Sequence, residues 1–137
     1  MTSADTTPGA RRERPLSPHL SVYRPIVTMV MSIMHRITGV MNVAGFVLVV
    51  GFLLATASGP EAYATASAIY GSWLGRVILV LFTWSLIHHM LGGVRHAVWD
   101  MGRGLGDVRY SMSWATAIGS ASLTVLLWVV IMIVEAV

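Results

Sequence analysis

The sequence predicts an all-α membrane protein with three transmembrane helices, and two features of composition and one of pattern predict it. Of its 137 residues 55% are hydrophobic and only 11% charged, whereas a soluble domain carries roughly a quarter charged residues. Mean hydropathy is +0.73. The apolar residues also gather into three runs, each near the length of about 20 residues that crosses a hydrocarbon core of about 30 Å.

Residues 1–24 are polar and proline-bearing and lack the apolar core of a secretory signal, so they are expected to stay as a polar cytoplasmic segment. The transmembrane domain is expected over residues 25–137. Its first span, about 25–54, opens on polar-tolerant residues (Thr28, Ser32, His35, Arg36, Thr38) and continues as the uninterrupted run from Val40 to Leu54. Ala57-Ser58-Gly59-Pro60 reads as a turn, and the small residues after it suit a short interfacial helix. The second span is expected at about 72–99. The third, about 112–134, is apolar nearly throughout.

Charge orients these spans. Arg11, Arg12, Arg14 and Arg24 precede the first, and Arg95, Arg103 and Arg109 surround the loop after the second. The loop between the first two spans holds Glu61 and no basic residue, and the chain ends Glu135-Ala136-Val137. Arginine marks the cytoplasmic side, so the N-terminus is expected in the cytoplasm and the C-terminus in the periplasm of a bacterial inner membrane. Arg76 dissents, near the outer end of the second span, where a long side chain can snorkel to the interface. All nine basic residues are arginines and form no exposed stripe on a soluble domain, which argues against nucleic acid as a partner despite the net charge of +3. With no cysteine, the chain has no disulfide, no thiolate for an iron–sulfur cluster and no thiol nucleophile. Three spans without paired half-repeats also make a poor alternating-access transporter.

The most informative stretch closes the second span, from Ile87 through His88, His89, Gly92, Gly93, Arg95 and His96 to Asp100. Offsets of four, seven and eleven put His89, Gly93, His96 and Asp100 on one helix face. A histidine within the apolar stretch is costly without a partner, so His89 calls for a ligand, a hydrogen bond or a water cavity. Gly92 and Gly93 clear space beside it for a large flat group or a neighbouring helix. The set fits an axial haem ligand, with arginines near the propionates. Two plainer readings stand beside it. The imidazole could be an interhelical hydrogen-bond donor, and His88, about 100° around the helix, could be the ligand instead. No other histidine is expected at the depth of His89, since His35 lies near the cytoplasmic end of the first span, so a second axial ligand would come from a partner chain.

In the first span, Ser32 and Arg36 share a face one turn apart, with His35 beside them. Hydroxyl, guanidinium and imidazole at a membrane edge suit a quinone headgroup, or a carboxylate such as a haem propionate. A serine and an arginine at a helix start are also commonplace anchors.

Three pieces together resemble the cytochrome b membrane-anchor subunits of succinate dehydrogenase, of the alphaproteobacterial and mitochondrial type. They are Arg14-Pro15-Leu16-Ser17-Pro18-His19-Leu20-Ser21-Val22-Tyr23, Ser32-Ile33-Met34-His35-Arg36-Ile37-Thr38-Gly39, and His89 through Gly102, which matches H-x-x-x-G-[IV]-R-H-x-x-W-D-x-G. Each fits without a gap and all stand in family order, from Arg14 to about Leu105.

The resemblance implies that the three spans form half of a helical bundle completed by a second, smaller anchor. It implies one haem b shared between the two anchors, with His89 as this chain's iron ligand. Ser32 and Arg36 would bind ubiquinone, and His35, Arg95 and His96 would lie near the propionates or the quinone. Asp100 would serve a proton path or orient a neighbour. A flavoprotein and an iron–sulfur subunit would dock on the polar N-terminal segment and the 100–109 loop, and the smaller anchor would supply the second histidine and a quinone-binding tyrosine. The chain would belong to an enzyme as a subunit of succinate:quinone oxidoreductase, and whether it is one alone is left open. An anchor of a fumarate reductase and a haem-free structural anchor are the competing readings.

Overall fold

A computed structural model describes residues 15–17 and 19–137. Arg11, Arg12, Arg14 and Pro18, and with them part of the expected docking segment, lie outside the described residues.

The described residues form four helices and no strand: α1 (Val27–Ala57), α2 (Pro60–Gly71), α3 (Trp73–Asp100) and α4 (Val108–Ala136). Helices α1, α3 and α4 are long and apolar enough to cross a membrane, as a multi-pass membrane protein requires. They hold 31, 28 and 29 residues. At 1.5 Å per residue that is about 42 to 46 Å, more than the hydrocarbon core and enough to reach through the headgroup layers. Hydropathy marks the part of a helix that lipid covers, whereas backbone hydrogen bonding continues into the interface. Thus α4 begins at Val108, four residues before the apolar run.

Local chemistry sets the breaks. Gly59 takes φ +122, which suits glycine, and Pro60 opens α2. Ser72 caps α3, its hydroxyl accepting from the Gly75 N–H at 3.1 Å. Beyond Asp100 the glycines at 102, 104 and 106 all have positive φ, so the helix cannot continue through them. Helix α2 is the expected short segment between spans, fastened to α1 by the Tyr70 hydroxyl, which donates to the Leu48 carbonyl at 2.7 Å.

Helix α3 is central, packing against both α1 and α4. The interior inverts that of a soluble protein. Buried side chains include Thr38 and Asn42 of α1, Ser85, His88 and Arg95 of α3, and Ser113, Thr116, Ser120 and Thr124 of α4, with Met31 and Ala66 the buried hydrophobic residues. Large apolar side chains such as Val43, Val47, Leu126 and Val130 point outward. Lipid tails are as apolar as leucine, so helices in a bilayer associate through small residues and interhelical hydrogen bonds. Ser85 shows how: its hydroxyl lies 2.9 Å from the Thr38 carbonyl and 2.8 Å from Asn42 Oδ1.

Arg76 is resolved by its partner. Its guanidinium meets Glu135 at 3.0 Å and its Nε donates to the Gly71 carbonyl. The start of α3 and the end of α4 therefore share one end of the bundle, and the dissenting cation has its counter-charge beside it.

Candidate functional site

Adjacent histidines on α3 point into different surroundings. His88 is 2% exposed and faces α4, its Nδ1 3.0 Å from Ser120 Oγ and its Nε2 enclosed without a partner. Seven residues on, Arg95 has the same interior face. It is also 2% exposed, its guanidinium carbon 5.1 Å from the centroid of Trp99 and its three nitrogens enclosed without a hydrogen bond among the described residues.

His89 faces the other way. Its Nδ1 lies 2.9 Å from the His35 carbonyl oxygen. A carbonyl only accepts, so Nδ1 carries the proton and donates it, and Nε2 keeps an in-plane lone pair. Nε2 makes no hydrogen bond among the described residues and is not among the enclosed atoms. A metal-ligating histidine needs this arrangement: one nitrogen held by a backbone carbonyl, the other free.

The glycines divide the work that the sequence assigned to them jointly. A methyl group on Gly92 would sit 2.5 Å from His35 Nδ1, so Gly92 lets α1 approach α3. A methyl on Gly93 would meet nothing within 4 Å. The space one turn from His89 on its own face is open, as a flat macrocycle would require. Gly39 completes the cradle from α1, where a methyl would come 3.0 Å from His89 Cε1. Among the described residues no group of three or more His, Cys, Asp or Glu side chains is arranged to hold a metal ion by itself.

One expectation fails. His35 is not shallower than His89: the two rings stack face to face, centroids 4.0 Å apart and planes 7° off parallel. His35 lies eight residues inside the start of α1 and His89 eleven inside the end of the antiparallel α3, and these depths coincide. The stack still does not provide two axial ligands, because ligating lone pairs lie in the ring planes and not between the faces. His96 joins from α3, tilted against His35 with centroids 5.0 Å apart.

The structure therefore brings His35, His89 and His96 together and sets Arg95 apart on the interior face. Ser32 is half-buried and Arg36 exposed in the same part of α1, and neither side chain has a hydrogen-bond partner among the described residues. Asp100 ends α3, exposed. Sequence reasoning missed the polar interior, although its signal is visible: Ser113, Thr116, Ser120 and Thr124 recur at helical spacing in a run otherwise apolar.

Comparison with known proteins fits this arrangement. Residues 10–131 match the family described as succinate dehydrogenase/fumarate reductase transmembrane subunit. The succinate dehydrogenase cytochrome b556 subunit of Paracoccus denitrificans is 45% identical over 121 residues, covering 88% of this chain and 93% of that protein. The subunit of the same name from Rickettsia prowazekii is 33% identical, covering 85% and 92%. A mitochondrial succinate dehydrogenase cytochrome B subunit from Schizosaccharomyces pombe is 34% identical, covering 73% of this chain and 59% of its own length. With a match that takes in all three membrane-crossing helices and the histidine face, the chain belongs to the succinate dehydrogenase/fumarate reductase transmembrane-subunit family, among its succinate dehydrogenase cytochrome b members.

Proposed function

We propose that this chain is the haem b-binding anchor of a bacterial succinate:quinone oxidoreductase, passing electrons that arrive from an iron–sulfur subunit on to ubiquinone. The observation that carries the reading is His89, with Nδ1–H given to the His35 carbonyl and Nε2 without a hydrogen bond among the described residues, one helical turn from Gly93, where a methyl group would meet no described atom within 4 Å. His89 would hold the iron, and bound haem would supply a one-electron store close to the quinone. A second ligand and a tyrosine for the quinone would come from a smaller anchor, and one haem would be shared between the two chains.

The residues of this chain have separate tasks. Gly39 keeps bulk away from the His89 ring, and Gly93 leaves the helix surface one turn along uncovered by the described residues. Ser32 and Arg36, unpaired within the described chain, offer a hydroxyl and a guanidinium to the quinone carbonyl oxygens. His35 and His96 stand beside them as hydrogen-bond donors to a propionate or proton carriers to the quinone. Arg24, Arg103 and Arg109 flank the end where α1 begins and α3 leads into α4, which supports a cytoplasmic location for that end and a periplasmic one for the C-terminus. The flavoprotein and iron–sulfur subunits dock at that end, over the N-terminal segment and the 100–109 loop.

The family takes in fumarate reductases as well as succinate dehydrogenases, so the quinone sets the direction. Succinate-dependent reduction of ubiquinone by the purified complex supports the reading, and activity only with a low-potential quinol reverses it. The ligand assignment is tested by the reduced-minus-oxidised spectrum of the assembled complex. His89→Ala is expected to abolish the b-type bands, and His88→Ala to keep them at near wild-type intensity. Bands that survive the first change and vanish with the second would refute the assignment.

A further inference from the structure

Trp99 occupies the last turn of α3, three residues after His96 and four after Arg95, and so lies between two side chains that diverge by about 100° around the helix. Its ring touches both. The Arg95 guanidinium carbon stands 5.1 Å from the indole centroid, and the His96 ring meets it edge-on, with centroids 5.4 Å apart and planes at 89°. The indole is tied down in turn, because Nε1–H donates to the Gly104 carbonyl at 3.2 Å. Gly104 has φ +68, and a methyl there would run into Met112 Sδ. The acceptor is thus presented by a loop conformation that glycine permits and α4 backs.

These contacts form a sequence from the loop to the proposed ligand: Gly104 carbonyl, Trp99 indole, His96, His35, His89. We infer that Trp99 is a positioning residue whose indole, tied to the Gly104 carbonyl, keeps the Arg95 guanidinium on the interior face and the His96 imidazole against His35. A guanidinium is attracted to an aromatic face, and the indole is the face that stands 5.1 Å from this one, between it and the His96 ring. A leucine at 99 removes both the barrier and the tether. A phenylalanine keeps the barrier and loses the tether.

The inference rests on the proposed role of His89 and is tested in the intact four-subunit complex. Trp99→Leu is expected to raise the KM for ubiquinone about threefold or more, since small misplacements of positioning groups are amplified at such sites. Succinate oxidation by a soluble dye is expected to stay unchanged. The same variant is expected to raise the haem midpoint potential, because a cation nearer the haem favours its reduced form, and adding Arg95→Leu is expected to cancel that rise. Trp99→Phe is expected to leave KM and potential near wild type while speeding amide exchange in residues 101–107 about tenfold, as loss of one hydrogen bond allows.

Unchanged KM and potential in Trp99→Leu would overturn the inference, and so would a potential rise that persists in full in the Arg95→Leu background. If Trp99→Leu fails to assemble, Trp99→Phe decides, and loop exchange at the wild-type rate overturns the tether. A wild-type complex without b-type bands would instead refute the role of His89, while the KM and exchange measurements would still judge Trp99.

Discussion

The two long faces of α3 are made of similar residues and behave differently. Ser85, His88, Gly92 and Arg95 face the interior, where α1 and α4 cover them. His89, Gly93 and His96 stay partly open, and there His89 Nε2 has no hydrogen bond among the described residues. The interior face is polar because helices in lipid bind each other through hydrogen bonds and small residues. The second face is polar although little of this chain covers it, which in lipid is costly without a partner. A polar residue in a membrane helix therefore points to a cofactor when the chain's own packing leaves it uncovered, and burial alone is a sign of structure.

The neighbouring glycines give the largest expected contrast between the faces. Gly93→Phe fills open space on the His89 side and is expected to remove more than nine-tenths of the b-type absorbance while the complex still assembles. Gly92→Ala forces His35 to move, because the new methyl group would sit 2.5 Å from its Nδ1. Such overpacking costs about 1–3 kcal/mol, less up to about 1 kcal/mol recovered by replacing glycine within a helix. A lowered melting temperature with haem content within about a third of wild type is the outcome that keeps the faces distinct. Loss of haem from both variants with equal loss of assembly would erase the distinction.

Much of this was legible in the sequence. Three spans, the intervening short helix and the face shared by His89, Gly93 and His96 follow from run length and helical spacing. What was not legible is how one helix sits against another. Spacing placed Arg95 beside His96 in the chain and so near the same site, but successive residues diverge by about 100°, and the interior side proved to be the one carrying Arg95. The depth of His35 was misjudged because it depends on where the antiparallel helices begin and end, and apolar run length defines those ends poorly. Likewise Gly92 and Gly93 are equivalent as letters, and only the crossing of α1 over α3 separates them.

An intermediate effect is expected on α1. Ser32→Ala and Arg36→Leu each remove a group with no partner among the described residues, so the fold has little to lose. Each is expected to slow ubiquinone reduction about tenfold or more, as loss of one charged or neutral hydrogen bond of about 1.5 kcal/mol implies. Succinate oxidation by a soluble dye is expected to continue at the wild-type rate. Parallel loss of both activities would show that these residues hold the complex together, and α1 would then resemble the interior face of α3 instead of the open one.

The smallest effect is expected at the other end of the bundle, where the contrast is between two arginines. Arg95 is enclosed and has no hydrogen bond among the described residues, whereas Arg76 is half exposed and paired with Glu135 at 3.0 Å. The pair looks important in a chain with so few charges, but solvent at the membrane edge screens it, and exposed ion pairs contribute about 0–1 kcal/mol. Arg76→Gln and Glu135→Gln are each expected to shift the melting temperature of the complex by no more than about 3 °C, and the double variant to shift it no further than the larger single change. Their additivity is what matters most. A double variant losing the sum of the singles would mean that each residue acts alone, Arg76 by its bond to the Gly71 carbonyl and Glu135 by its own hydration, and the link between α3 and α4 at this end would then rest on apolar packing alone.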